Sequence, residues 1–181
     1  MHFPTLTTKR LILRKLDDND YQEIFSLRSS DDVNKYIDRE KATDIEQAKV
    51  FIKKIEAAIS ENRSFYWAIC FNDNKKLIGT TGLWNFSEDR TIAEVGYELN
   101  PSYQKRGIMN EALESVIHYG FTELKLITLL AFSHKENNNS VRLLEKNNFK
   151  IDESLKDETN LNNIVYSLTN KKFITEKNAG K

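Results

Sequence analysis

The run Glu94-Val95-Gly96-Tyr97-Glu98-Leu99-Asn100-Pro101-Ser102-Tyr103-Gln104-Lys105-Arg106-Gly107-Ile108-Met109-Asn110-Glu111-Ala112-Leu113 decides how this chain is read. Its first six residues mix character on alternate positions, as a strand does, and Asn100-Pro101 breaks that strand. A polar, basic turn holding one glycine then runs straight into a helix. Met109, Ala112, Leu113, Val116, Gly120, Phe121 and Leu124 fall at helical spacing and give one apolar face, while Glu111, Glu114, Ser115 and His118 lie mostly on the other side. Gly107 marks a position where backbone approaches something closely or where φ is unusual. A strand, a proline break and a basic glycine turn opening a helix form an anion-binding arrangement, because the first-turn N–H groups are free and the helix dipole favours negative charge there. Taken alone, the same pattern also fits a plain turn before a surface helix.

Outside this run, short apolar stretches alternate with helical patterns. Leu11 to Leu16 reads as a strand, and Asp17-Asp18-Asn19-Asp20 offers caps for a helix bearing Tyr21, Ile24, Phe25 and Leu27. Asp31 to Ala42 is a polar connection with room for a short helix around Val33, Tyr36 and Ile37. Thr43 or Asp44 caps a helix to about Ser60, with Ala48, Phe51, Ile52, Ile55 and Ile59 on one face. Phe65 to Phe71 and Leu77 to Trp84 predict a hairpin around Asn72-Asp73-Asn74-Lys75, and Glu88-Asp89-Arg90 turns into the Ile92 to Leu99 strand. Leu126 to Phe132 is a strand after the glycine-turn helix, which predicts a parallel pair. Asn139 to Lys146 is a last helix, and Phe149 to Ile151 and Asn163 to Leu168 are the last strands. The pattern predicts an α/β (α+β) chain with a mixed, twisted sheet of six to seven strands and helices on both faces. It assigns a single domain to residues 1–170 and a polar, frayed tail to 171–181.

Composition narrows the function classes. At 181 residues one domain is the simplest division, and 27 basic residues against 27 acidic ones give no reason to expect nucleic acid or an anionic membrane as partner. Cys70 is the sole cysteine, so no internal disulfide forms, and its setting in Phe65-Tyr66-Trp67-Ala68-Ile69-Cys70-Phe71 reads as a buried core thiol. No apolar run approaches the ~20 residues of a membrane span, and the N-terminus lacks the charged-then-apolar design of a signal peptide. A cytoplasmic protein is expected. His2, His118 and His134 share no ligand spacing, so no metal is expected, and no phosphate-loop pattern of the Gly-x-x-x-x-Gly-Lys-Ser/Thr type occurs.

Gln104-Lys105-Arg106-Gly107-Ile108-Met109 resembles the acetyl-CoA pyrophosphate loop of the GNAT N-acetyltransferases, whose pattern is Arg/Gln-x-x-Gly-x-Gly/Ala. Glu94 to Leu99 resembles the strand before that loop in the branch that acetylates ribosomal-protein N-termini. Asn137-Asn138-Asn139-Ser140 followed by Leu144-Glu145-Lys146-Asn147-Asn148-Phe149 resembles that branch's Asn-x-x-Ser and Leu-Glu-Lys-x-Gly-Phe signature, and Leu6 to Arg14 resembles its first strand. The likeness runs from about Leu6 to Leu168. It departs from the family at Met109, where Gly or Ala is usual and the side chain must turn into the core, and at Asn148, where Gly is usual. Asn is the next-best residue for a left-handed helix end.

The resemblance implies a GNAT-like fold in which the parallel strands on either side of the loop and its helix splay apart to admit the pantetheine arm. It implies acetyl-CoA as cosubstrate, cradled by backbone N–H groups of Gln104, Lys105, Arg106, Gly107, Ile108, Met109 and Asn110, with Tyr97, Leu99, Asn137 and Ser140 also contacting it. It places Glu94 as the base, often acting through a water, with Gly96 leaving room for substrate on the same face. Apart from the family, Glu94 reads as a surface or salt-bridged strand glutamate, and Glu98 competes for the role. A backbone N–H near Tyr97, where the strand bends or bulges, would meet the oxyanion. Ser140 is implied as general acid toward the sulfur, although Asn-x-x-Ser is also plain capping chemistry. Tyr166 is the rival acid and is otherwise a packed strand tyrosine. The function implied is transfer of an acetyl group from acetyl-CoA to a primary amine, of a protein N-terminus or a small molecule, by direct attack in a ternary complex. The alternative is a non-catalytic acyl-CoA sensor or scaffold. A homodimer stays open.

Overall fold

The computed structural model describes residues 3–171. The expected tail at 171–181 therefore lies, Lys171 aside, outside the described residues, as does His2. Strands β1 (Leu6–Thr7) and β2 (Leu11–Lys15) are followed by helices α1 (Tyr21–Ser29), α2 (Asp31–Asn34) and α3 (Ile45–Ser60). Strands β3 (Phe65–Phe71), β4 (Asn74–Trp84) and β5 (Ile92–Leu99) come next, then helix α4 (Ile108–Thr122), strand β6 (Thr128–His134) and helix α5 (Asn138–Lys146). Strands β7 (Lys150–Ile151) and β8 (Asn163–Thr169) complete the order.

The strands form one eight-stranded sheet in the order β1-β2-β3-β4-β5-β6-β8-β7. Six to seven strands were expected; the additional one is the two-residue β1, which pairs Leu6 with Leu13 and Thr7 with Ile12. Its shortness leaves no alternation to read. Every pairing is antiparallel except β5 with β6, the pair joined through α4. That matches the expected strand–helix–strand unit. β4 begins at Asn74, earlier than its apolar run suggests, because the hairpin turn is only Asn72-Asp73 and the ladder shifts register at Cys70 and Phe71.

Both faces of the sheet are covered. In β3, Trp67 and Ile69 point into a core shared with Leu113, Val116, Ile117 and Phe121 of α4, while Tyr66, Ala68 and Cys70 point into a second core with Ile24 and Leu27 of α1 and Ala48 and Ile52 of α3. A strand buried on both faces is continuously apolar, which is how this stretch reads. Cys70 donates to the Lys75 carbonyl at 3.1 Å, and burial pushes its thiol up, so it is a packing residue. Asp44, not Thr43, caps α3 by accepting from the Gln47 N–H. Asp20, read as a cap residue, is also buried and takes two guanidinium hydrogen bonds from Arg14 at 2.8 and 2.6 Å.

Helix α5 ends on Asn148 in the left-handed region, φ 65°. The Phe149 N–H donates to the Leu144 carbonyl at 3.0 Å and the Asn148 N–H to the Glu145 carbonyl at 2.9 Å, the paired closing bonds of a Schellman motif. Leu144 and Phe149 are both fully buried in the same core, supplying its hydrophobic contact. Asn148→Gly removes a side chain from a strained φ and should be neutral or mildly stabilising, whereas Asn148→Val should cost about 1–2 kcal/mol. Urea denaturation of both variants checks this; a Gly variant less stable than the parent contradicts it.

Candidate active site

The parallel ladder between β5 and β6 is short. It joins Ile92 to Thr128, Ala93 to Leu129 and Glu94 to Leu130, and then stops. Beyond Glu94, β5 stays paired with β4 as far as Leu99, and β6 stays paired with β8 as far as His134. The strands part there, and a cavity of about 770 Å³ occupies the opening. Its walls include Val95 to Leu99, Ala131 to His134, the turn before α4, the start of α5, part of the 32–38 connection and the 157–163 loop.

The turn before α4 forms one end. Lys105 and Gly107 both have positive φ, 58° and 72°, and Gly107 is the N-cap of α4 with no side-chain cap. A Cβ at Gly107 would meet nothing nearer than Arg10 Nη2 at 3.6 Å, so the glycine serves the backbone angle rather than close packing. Left-handed residues at a helix start turn successive N–H groups to one side and make an anion-binding concavity. No side chain caps those of Ile108, Met109 and Asn110 among the described residues. The Met109 side chain turns into the core, 8% exposed.

The turn is braced from behind. Arg10 donates to the Arg106 carbonyl at 3.0 Å and to Glu111 Oε2 at 2.6 Å, and the Thr8 hydroxyl and Arg10 N–H both donate to Glu111 Oε1. Gln104 donates to the Leu99 carbonyl at 3.2 Å, tying the turn to β5. Asn147 at the end of α5 donates to Asn110 Oδ1 at 3.1 Å. Glu111 thus holds the β1–β2 turn against the loop, a role its place on the polar helix face did not suggest.

Of the residues singled out in the sequence, Tyr97, Leu99, Gln104, Lys105, Gly107, Ile108, Met109, Asn110, Asn137 and Ser140 line the cavity. Glu94, Arg106 and Tyr166 do not. Arg106 carries its guanidinium over the Tyr103 ring, and Tyr166 is a core residue, 2% exposed. The Tyr97 hydroxyl and Ser140 Oγ share a hydrogen bond of 2.9 Å, and the Ser140 N–H donates to Asn137 Oδ1. Burial pushes the Tyr97 phenol up to about 12, so it is protonated at neutral pH. This side-chain pairing was not read from the sequence, where Tyr97 entered for its backbone. No bulge marks Tyr97, since β5 and β4 keep an unbroken register from Glu94 to Leu99.

The strand carboxylates have different partners. Glu94 lies opposite Trp84, whose Nε1 donates to Glu94 Oε2 at 3.2 Å. The space expected above Gly96 is filled: a Cβ there would fall 2.3 Å from the Trp84 ring. Gly96 therefore lets the indole lie across β5, and Trp84 lines the cavity beside it. Glu98 lines the cavity but is tied up. Arg39 donates to its Oε2 at 2.6 Å and Thr80 to its Oε1 at 3.3 Å, while Thr80 shares a hydrogen bond with the buried Tyr66 hydroxyl. Arg39 also donates to Asn34, whose amide donates to the carbonyls of Leu27, Arg28 and Ser30. This chain pins the 32–39 connection beside β5. There, Tyr36 packs its ring 5.4 Å from His134, whose Nδ1 accepts from the Glu136 N–H. Among the described residues no group of three or more His, Cys, Asp or Glu could hold a metal ion, and no helix is long and apolar enough to cross a membrane.

A family model described as an acetyltransferase (GNAT) domain matches residues 10–150. The uncharacterized N-acetyltransferase YoaA of Bacillus subtilis is 38% identical over 148 residues, 82% of this chain and 84% of its own length. Among solved structures, a putative ribosomal-protein-serine acetyltransferase from Vibrio cholerae superposes with a TM-score of 0.80 at 22% identity, covering 92% of this chain and 97% of that one. Mycobacterium smegmatis RimJ, solved in complex with CoA-disulfide, superposes with a TM-score of 0.79 at 17% identity over 94% and 89% of the two chains.

The contact between Trp84 and Gly96 gives a direct test. Gly96→Ala should destabilise the protein by roughly 1–3 kcal/mol, the usual cost of overpacking a filled site, and should alter tryptophan emission as the indole is displaced. In a Trp84→Ala background the same substitution should cost much less, because the ring it clashes with is gone. A double-mutant cycle by urea denaturation with no coupling between the two sites contradicts the packing assignment.

Proposed function

The chain belongs to the GNAT acetyltransferase family and is an acyl-CoA-dependent acetyltransferase; from that premise we propose that it transfers an acetyl group from acetyl-CoA to a primary amine by direct attack in a ternary complex. The observation that carries this reading is the single opening between β5 and β6. It runs from an uncapped helix N-terminus with left-handed residues to the paired hydroxyls of Tyr97 and Ser140. The α4 end fits the cosubstrate pyrophosphate, because N–H groups of Ile108, Met109 and Asn110 and the helix dipole converge there. In the transfer a C–N bond forms at the thioester carbonyl, the C–S bond breaks, and the amine must shed a proton while the sulfur gains one.

Chain residues are available for both proton movements. Tyr97 and Ser140 form a hydrogen-bonded pair whose phenol is protonated at neutral pH, suited to supply the sulfur. Glu98 is engaged by Arg39 and Thr80, which leaves Glu94 the freer carboxylate on that face of β5. Glu94 stands behind Trp84 rather than in the cavity wall, so we assign it the base role through a water. The single buried cysteine fits a cytoplasmic setting.

The deciding assay is thiol release from acetyl-CoA with a panel of primary amines, including peptides with free N-termini. Acetyl-CoA binding without thiol release for any amine would favour the sensor or scaffold reading. Gly107→Val, which forces a β-branched residue into φ 72°, should weaken CoA binding at least about tenfold. Gly107→Asn should bind close to the parent, since Asn tolerates that region. Unchanged CoA affinity of the Val variant by calorimetry removes the loop from the site.

Glu94→Gln keeps size but cannot take a proton. With a lysine-type amine its rate should fall by roughly 10²–10⁴. The loss should shrink as pH rises, because more amine arrives already neutral, and should be smaller for an α-amine of pKa about 7.7–8.0 than for one near 10.4. CoA affinity should hardly move. An equal loss at every pH and for every amine makes Glu94 a positioning residue, and no loss removes it from the reaction.

A further inference from the structure

The parted strands are bridged on both faces of the sheet, and differently on each. The last rung of the parallel ladder joins Glu94 to Leu130. Four residues further along each strand stand Glu98 and His134, and the outer ladders to β4 and β8 run unbroken past or up to them. Strand alternation then sets Glu98 and His134 level with each other on one face, with Tyr97 on the opposite face, that of α4. On the α4 face the Tyr97 hydroxyl meets Ser140 of α5. On the other face the chain from Tyr36 to Arg39 spans the gap. Arg39 donates to Glu98 Oε2 at 2.6 Å on the β5 side, and the Tyr36 ring lies 5.4 Å from that of His134 on the β6 side. Tyr36, Ile37 and Asp38 of this strap and Trp84, Gly96 and His134 of the sheet line the same cavity, so the strap roofs it on this face.

The two anchors of the strap are unequal. At one end Arg39 is paired with the buried Glu98, and its Nε donates to Asn34 Oδ1 at 2.6 Å, while the Asn34 amide holds the carbonyls of Leu27, Arg28 and Ser30. The Ile37 N–H donates to the Asn34 carbonyl at 3.1 Å and the Ala42 N–H to the Arg28 carbonyl at 3.0 Å, which fixes the chain on both sides of Arg39. At the other end His134 is itself fixed. Its Nδ1 accepts from the Glu136 N–H at 3.2 Å and its carbonyl from the Asn137 N–H at 2.8 Å. The link from strap to His134, however, is a contact of rings, and the Tyr36 hydroxyl makes no hydrogen bond among the described residues. Such a contact is much weaker than a buried ion pair, so Tyr36 is where the roof yields.

We propose that Tyr36 and His134 set the width of the acceptor passage and are specificity-determining residues for the bulk an acceptor carries beside its attacking nitrogen. The inference rests on the amine-acetylating reading and names what limits its substrate. The α4 face of the opening is taken up by α4, α5 and the Tyr97–Ser140 pair, which leaves the strap face for the acceptor. An amine entering there passes between the strap and the Trp84 side of the sheet. A slender amine leaves the ring contact undisturbed. One with bulk beside its nitrogen must displace Tyr36, and the Arg39 anchor keeps the displaced chain from swinging clear. Packed side chains held at both ends resist that displacement.

The test takes the best acceptor of the amine panel and an analogue bulkier beside its nitrogen: butylamine against cyclohexylamine for a simple amine, a glycine-led against a valine-led tripeptide for a peptide. The parent, as the full chain, should favour the slender member. In Tyr36→Ala the slender-to-bulky ratio of kcat/KM should fall about 10-fold, the scale of steric discrimination in a pocket. His134→Ala should do the same, and the double variant should go little further, because losing either ring removes the contact. Tyr36→Phe, which keeps the ring, should keep the parent's ratio. CoA affinity by calorimetry should match the parent in Tyr36→Ala. A parent that takes both members equally, or an unchanged ratio in both single variants, overturns the inference and leaves acetyl transfer standing. If no amine is turned over, the amine-acetylating reading fails, and acrylamide quenching of tryptophan emission still reads the strap. Of the two tryptophans, Trp67 is fully buried and Trp84 lines the cavity, so quenching reports the space beneath the strap. Steeper quenching in Tyr36→Ala than in the parent and Tyr36→Phe supports a roof held by the ring contact; equal quenching in all three overturns it.

Discussion

Two neighbouring strands in this sheet stop pairing in mid-course, and the rest of the molecule is arranged around that break. A parallel ladder that ends after Glu94 and Leu130 leaves backbone edges facing an opening instead of each other. Unpaired backbone in a dry interior is expensive, so such a gap persists only where solvent or a ligand can reach the edges. The strands need other anchors. β5 keeps its register with β4 from Glu94 to Leu99, and β6 keeps its register with β8 from Thr128 to His134. Each is a full antiparallel ladder, so the opening is held by the sheet on both sides.

The helix that joins the separated strands begins at the same opening, which is why the glycine turn and the Tyr97–Ser140 pair share one cavity. Its first turn must stay open toward the cavity and firm on the opposite side. The open side is given by the left-handed Gly107, which brings no capping side chain. The firm side comes from Arg10, Thr8 and Glu111, which tie the first hairpin to the turn, and from Asn147, which ties it to the end of α5. The short first hairpin contributes little to the sheet and much to the loop.

What could be read from the chain was local. Helix α4, the glycine turn, the parallel unit and the left-handed end of α5 follow from period, turn chemistry and the αL tolerance of Asn, all within a few residues of each other. What escaped was non-local. Arg39 and Glu98 are 59 positions apart, and no spacing rule joins them. Tyr36 meets His134, and Trp84 covers Gly96, only because strand register and the packed connection bring them together. Gly96 is the instructive case. A missing side chain was read as space for substrate, but close-packed interiors fill such space, and a cross-strand indole occupies it.

The same register separates the two carboxylates on that face of β5. Glu94 lies opposite Trp84, which offers one N–H and an apolar ring, while Glu98 lies opposite Thr80, which hands it to Arg39 and the buried Tyr66. The Glu98 side chain is 6% exposed and that of Arg39 is 19% exposed. Breaking such a buried pair typically costs about 3–5 kcal/mol, because the partner left behind is an uncompensated charge. That penalty makes Glu98 a poor group to ask for proton shuttling and a good one for fixing the 32–39 connection, which carries Asp32, Tyr36 and Asp38 to the cavity. One cross-strand neighbour, Trp84 or Thr80, thus leaves one of two chemically identical residues lightly held and locks the other into the architecture.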